Sequence, residues 1–266
     1  MMKAPSWIVM SVLAAAATAN AATLFTDGFE SGNLSTTQNG VKWINSTATS
    51  VSTEQAQSGS RSLKFAFAGV PLGEDSFAEQ RISMPANGEY WFKYQLYVPS
   101  NYTHRSDGAS NNKFLAVYQA PYLKDNPGFQ VNFSLQPNGS GGSNMEIHHY
   151  NGGIEGSVRT VANNFITSSD KGAWMEIIAQ VKVPSAQGAR DGVMKLWKNG
   201  TLLVNVTDLP SWGGSGKNYI DQAYLLGWSN SGFTQATNLY IDDFVLSNSP
   251  LSGETKPNPP TNVTAQ

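Results

Sequence analysis

The sequence predicts an all-β protein: a two-sheet antiparallel sandwich of the jelly-roll kind. Three observations carry that expectation. Short runs are dense in aromatic and β-branched residues, apolar and polar positions alternate within them, and Gly, Pro and Asn clusters separate them. No stretch keeps a helical period over three turns. So many short strands bury their apolar faces best as two sheets packed face to face.

Taken in order, Glu89 to Val98 (EYWFKYQLYV) is the densest run. Lys113 to Gln119, Phe129 to Gln136, Met145 to Tyr150, Trp174 to Val183 and Val193 to Trp197 follow. Asn199-Gly200, between VMKLWK and TLLVNV, reads as a two-residue hairpin turn, because both central residues of a type I′ turn need positive φ. Tyr224 to Gly227 and Leu239 to Leu246 complete the set. Alternation assigns the faces. Phe129, Val131, Phe133 and Leu135 share one side, and Gln130, Asn132, Ser134 and Gln136 the other. Met145, Ile147 and His149 likewise oppose Glu146, His148 and Tyr150. One sheet face is therefore polar and rich in side chains that form directed hydrogen bonds.

Composition narrows the function. The 266 residues carry 17 basic and 19 acidic side chains, a net charge of -2, so no basic field attracts nucleic acid or an anionic membrane. Only 14% of residues are charged, against roughly 25% in ordinary domains, and neutral amides and hydroxyls fill the surface instead. With no Cys and three His, disulfides and thiolate chemistry are excluded and zinc has few ligands. Lys3, the apolar run Trp7 to Ala17 and the small-x-small site Ala19-Asn20-Ala21 predict a signal peptide over 1–21. The run is shorter than the roughly 20 residues of a membrane span. A secreted, extracellular or periplasmic monomer is expected, with one sandwich domain over 22–248. Residues 249–266 read as a linker followed by NPPTNVTAQ, which resembles the first strand of a fibronectin type III domain.

Neutral hydrogen-bonding groups beside aromatic rings suit a sugar chain. Gln130, Asn132, Tyr150, Trp228 and Asn230 are the expected contacts, while Trp91, Trp174 and Trp197 are expected in the core. A metal site is also suggested. DGFESG (27–32) opens the domain, SGSRSLKF (58–65) follows and YIDDFVLS (240–247) ends it. This order resembles carbohydrate-binding jelly rolls with a structural calcium. The resemblance implies Glu30 and one of Asp242 or Asp243 as ligands, completed by carbonyls near Lys64. Oxygen ligands suit calcium, and an ion there would tie first strand to last.

SGSRSLKF, AEQRIS (78–83), EYWFKYQLYVPSNY (89–102), KGAWMEIIAQVKV (171–183), DGVMKLWKNG (191–200) and IDDFVLS occur in that order. Over residues 24 to 248 the pattern resembles the jelly-roll polysaccharide lyases of the heparin-lyase and glucuronan-lyase type, within the concanavalin A-like lectins and glucanases. The resemblance implies β-elimination on a uronate polysaccharide. The acidified C5 proton leaves only if the adjacent carboxylate is neutralised, so such a site needs a neutraliser, a base and an acid. Arg81 is the expected neutraliser, aided by Gln119 or Asn132. His148 or Lys113 is the expected base and Tyr150 the acid. The sequence reads Glu-Gln-Arg at 79–81 where the lyases carry an Arg-Ser-Glu order. Without a broad basic patch, a uronate of low charge density fits better than a sulfated chain. The same scaffold also serves non-catalytic carbohydrate-binding modules, and the tail alone suggests an adhesive surface domain. No paired-carboxylate glucanase strand, Gly-x-Ser-x-Gly elbow or P-loop occurs.

Overall fold

The computed structural model describes residues 23–108, 110–123, 128–151, 154–210 and 219–251. The expected signal peptide and the expected fibronectin-like strand lie outside the described residues. The strands are β1 (Thr23–Asp27), β2 (Thr37–Gln38), β3 (Val41–Thr47), β4 (Thr49–Ser52), β5 (Ser62–Phe67), β6 (Ser76–Asn87), β7 (Glu89–Val98) and β8 (Asn111–Tyr118). They continue with β9 (Gln130–Pro137), β10 (Ser143–Asn151), β11 (Ile154–Ile166), β12 (Ala173–Lys182), β13 (Gly192–Lys198), β14 (Thr201–Leu209), β15 (Ile220–Asn230) and β16 (Thr237–Ser247). The described residues contain no α-helix, and one 3-10 turn, Ser168–Asp170, precedes β12.

Two eight-stranded sheets result. The front sheet runs β11-β10-β9-β8-β15-β6-β3-β2 and the back sheet β14-β13-β12-β7-β16-β5-β4, with β1 beside the far half of β16. The predicted hairpin turn joins β13 to β14, with Asn199 at φ 49 and Gly200 at φ 75, as a type I′ turn demands. The alternation seen in the sequence becomes the division between inside and outside. Phe114, Val131, Phe133, Ile147, Tyr94, Leu96, Ile177 and Phe244 are all buried in one core between the sheets. Each such side chain contributes about 1.5–3 kcal/mol by leaving water, so the core holds the sandwich without any disulfide.

Trp91, Trp174 and Trp197 depart from expectation. They alternate with core residues and so lie on the back sheet's outer face, where Trp91 and Trp197 stack at 5.7 Å. The reading of 224–227 was also too short. Leu226 and Gly227 adopt positive φ, of 54 and 121, and this bulge interrupts pairing with β8 between Leu225 and Ser229. Strand β15 resumes beyond the bulge, which the local sequence presents as an ending.

Candidate active site

The outer face of the front sheet assembles most of the predicted groups, and the register fixes their order. His148 (β10), Asn132 (β9), Ala116 (β8), Tyr224 (β15) and Arg81 (β6) are successive partners on one rung. The next rung runs Tyr150, Gln130, Tyr118, Gln222 and Ser83. On the other side, Glu146, Ser134 and Lys113 align.

The β9–β10 end of this band is polar and dry. Gln130, Asn132 and Ser134 are buried, although they face away from the core. Asn132 Nδ2 donates to the Tyr122 hydroxyl at 3.3 Å, so the segment after β8 reaches over this part of the sheet. Yet Asn132 Oδ1, Gln130 Oε1 and Ser134 Oγ have no hydrogen-bond partner among the described residues. Each such buried orphan costs on the order of 1–3 kcal/mol, and three together mark a surface shaped for something that supplies partners. Beside them His148 Nε2 lies 3.5 Å from Glu146 Oε2. The Thr160 hydroxyl donates to the other oxygen of Glu146 at 3.2 Å. His149 pairs with Val131 and turns to the opposite side, as adjacency requires.

The β8–β15–β6 centre has a different character. Tyr118, Tyr122 and Tyr224 form a separate aromatic cluster with Ala116, with ring centroids 5.1 to 6.1 Å apart. Tyr118 donates to Gln222 Oε1 at 3.3 Å. Burial pushes the Tyr118 and Tyr224 hydroxyls well above the ordinary phenol range. Arg81 lies 5.9 Å from the Tyr224 ring centroid and is ion-paired with Glu79, two residues along the same strand. Burial also raises the carboxyl of Glu79, against the pull of Arg81. Gly227 makes the cluster possible: a Cβ there would stand 2.9 Å from Tyr224 Cε2 and 3.2 Å from Glu79 Oε2.

The predicted site therefore divides. Asn132, Gln130, His148 and Tyr150 come together. Arg81 stands apart from them: four strand spacings of ~4.8 Å put it about 19 Å from His148, and it is ion-paired with Glu79. Lys113 stands two strands from Glu146, beside the Asn132 rung. Gln119 lies one residue beyond the end of β8, and the groove-facing residue of that strand is Tyr118. Trp228 and Asn230 sit past the bulge at the far end. Trp228 is 46% exposed, packs edge-on against Phe77 at 5.5 Å and donates Nε1 to Asp75 at 2.9 Å. Asn230 Nδ2 donates to Asn111 Oδ1 at 3.1 Å. Sequence alone assigns no role to Tyr118, Tyr122 and Tyr224, and none in the site to Glu79 or Glu146. Alternation could have found Tyr118 and Tyr224, which face outward between the inward Val117 and the inward Ala223 and Leu225, but nothing local signals Tyr122.

The three carboxylates expected to hold calcium converge on the loop before β5, and they meet N–H and O–H donors there. Glu30 Oε1 accepts from the amides of Ser60 and Arg61, and Oε2 from the Ser60 hydroxyl. The Ser60 bonds hold its carboxyl below the usual range. Asp242 Oδ2 accepts from the amides of Gln57 and Ser58, Oδ1 from that of Asp243, and Asp243 Oδ1 from the Ser58 hydroxyl. Among the described residues no three His, Asp or Glu gather to hold an ion. As they stand, these bonds tie the loop to the last strand, the same join that a calcium ion was expected to make.

Comparison with known proteins agrees with the architecture. No curated protein matches this chain in sequence. An alginate lyase, Aly36B, in complex with an alginate trisaccharide superposes with a TM-score of 0.60 at 12% identity, covering 86% of this chain and 99% of its own. An endo-beta-1,4-glucuronan lyase from the fungus Trichoderma reesei gives 0.60 at 15%, covering 86% and 96%. The alginate lyase vAL-1 from Chlorella virus gives 0.58 at 12%, covering 78% and 93%. These likenesses establish the concanavalin A-like jelly roll. The sequence match goes further: residues 29–244, from the opening loop through the last strand, fit the model of the family described as polysaccharide lyase, and the chain belongs to that family.

Proposed function

We propose that the protein is a secreted lyase that cleaves a uronic-acid-containing polysaccharide by β-elimination on the outer face of the front sheet. The observation that carries this reading is the set of buried, unpartnered oxygens on Asn132, Gln130 and Ser134 beside His148 and Tyr150. A sugar residue supplies what they lack, its hydroxyls donating to Oδ1 and Oε1, while the amide N–H groups of Asn132 and Gln130 face its carboxylate. Those donors stabilise the charge that builds on the carboxylate as the C5 proton leaves. His148, beside Glu146, takes that proton. The electron pair forms the C4=C5 double bond, the C4–O bond breaks, and Tyr150 protonates the departing oxygen. Lys113 is the alternative base. Trp228 and Phe77 extend the band as a stacking surface for a more distant sugar ring. No step needs a metal ion.

The test is direct. Incubation with glucuronan or alginate should give the ultraviolet absorbance of the unsaturated product, and His148→Ala and Tyr150→Phe should remove it. A flat trace on every uronate polymer would favour the second reading, a non-catalytic carbohydrate-binding module. The exposed Trp228–Phe77 pair supports that reading, since stacking needs no base.

A further inference from the structure

The back sheet's outer face carries groups that the proposed reaction does not use. Ser50 (β4), Lys64 (β5), Tyr240 (β16), Tyr97 (β7) and Trp174 (β12) are successive partners on one rung. Four spacings of ~4.8 Å make it about 19 Å long. The Tyr97 ring lies 5.4 Å from that of Trp174 and 5.9 Å from that of Tyr240. Trp174 and Tyr97 are half-exposed and face away from the core. Large rings in that position do not stabilise the sandwich interior, and a row of them is what a sugar chain stacks on.

At its β4–β5 end the rung opens into a cleft of 460 Å³ lined by Ser50, Ser52, Glu54, Arg61 and Lys64. Its charges are unevenly matched. Lys64 Nζ lies 2.6 Å from Glu54 Oε1, and the Tyr240 hydroxyl donates to Glu54 Oε2 at 2.6 Å, so those groups satisfy one another. Arg61 forms no salt bridge among the described residues. The nearby Glu30 already spends both oxygens on backbone amides and the Ser60 hydroxyl. A guanidinium with no direct ion pair, acting on Glu30 only weakly, suits one further carboxylate in a hydroxyl-lined cleft, which it can bind through two parallel N–H groups.

We infer that this rung and cleft form a second glycan site, which holds a uronate-bearing chain on the face opposite the catalytic one. Sugar rings lie on Trp174 and Tyr97, and a carboxylate meets Arg61. The ligand class rests on the uronate reading above, but the site needs no catalysis. It would keep the enzyme on its polymer between cuts and leave short fragments unaffected.

Retardation of the protein in gels containing glucuronan or alginate tests this in a Tyr150→Phe background, which leaves the polymer uncut. Trp174→Ala and Arg61→Gln should each weaken retention about tenfold, the loss of one stacked ring or one charge-assisted contact. Turnover of short oligouronates by the same two variants on the unaltered background should stay unchanged. Retention equal to that of Tyr150→Phe alone would overturn the inference, as would failure of either polymer to retard the unaltered protein. If the unaltered protein makes no unsaturated product while Trp174→Ala still loses retention, the second site stands and only the lyase reading fails. Arg61→Gln keeps the backbone amide that bonds Glu30, so it guards against a misfolded Trp174→Ala.

Discussion

The two halves of the front sheet's outer face are built from the same pleat and solve opposite problems. At the centre, Tyr118, Tyr122, Tyr224, Arg81 and Glu79 satisfy one another with edge-on and tilted rings and an ion pair. Toward β9 and β10, Asn132, Gln130 and Ser134 are buried, yet one oxygen of each lacks a partner among the described residues. A self-satisfied cluster stabilises the fold, and an unsatisfied one costs stability until a ligand arrives. The difference teaches where to look for chemistry: the proposed reaction belongs to the β9–β10 half, and the centre is expected only to support it.

The largest effect should come from removing a proton carrier. His148→Ala or Tyr150→Phe is expected to lower turnover by about 10²–10⁴-fold with little change in affinity. Tyr224→Phe, at the centre, should change turnover by less than about tenfold. An equal loss there would erase the distinction between the halves. Next comes Glu79→Gln, which leaves Arg81 half-buried without its counter-charge. Denaturant titration should show a loss of about 2 kcal/mol. Stability unchanged by that variant would mean the central pair is held by something else.

A smaller effect concerns the anchor of β10. His104 is buried, with Nδ1 2.8 Å from the Ser143 hydroxyl at the start of that strand, and the Tyr102 hydroxyl lies 2.7 Å from the same atom. Burial lowers the His104 pKa from 6.5 to about 4 and raises that of Tyr102 to about 12. The native state therefore keeps His104 neutral where the unfolded chain already binds a proton. Stability from this group is complete above pH 6.5 and is lost progressively as the pH falls toward 4. Urea midpoints across that window should fall less in His104→Gln than in the unaltered protein, and parallel curves would contradict the assignment. The smallest effect is expected from a chelator. If the hydrogen bonds of Glu30, Asp242 and Asp243 suffice to hold the loop to the last strand, excess chelator leaves the melting temperature unchanged, and a clear drop would show that calcium holds them.

Much of the front sheet was legible because the pleat has a period of two. FQVNFSLQ and MEIHHY show which side chains share a face without any coordinates, and that places Gln130, Asn132, His148 and Tyr150 together. What alternation cannot give is the order of strands in a sheet. Arg81 and His148 are expected from sequence in one site, and the interposed β8, β9 and β15 separate them. Nor can it show the bulge at Leu226 and Gly227, which carries Trp228 beyond the apparent strand end, or the reach of Tyr122 across the sheet. The tryptophans mislead for a related reason. Their size argues for burial, but their parity in β7, β12 and β13 puts them outside.

The claim on which the rest depends is that the unsatisfied β9–β10 surface binds and deprotonates a uronate. Absorbance of the unsaturated product should be followed on glucuronan and alginate for the unaltered protein and for Asn132→Ala side by side. The account predicts a steady rise for the first and a loss of at least about 10²-fold for the second. A rise of equal slope in both would place the chemistry elsewhere.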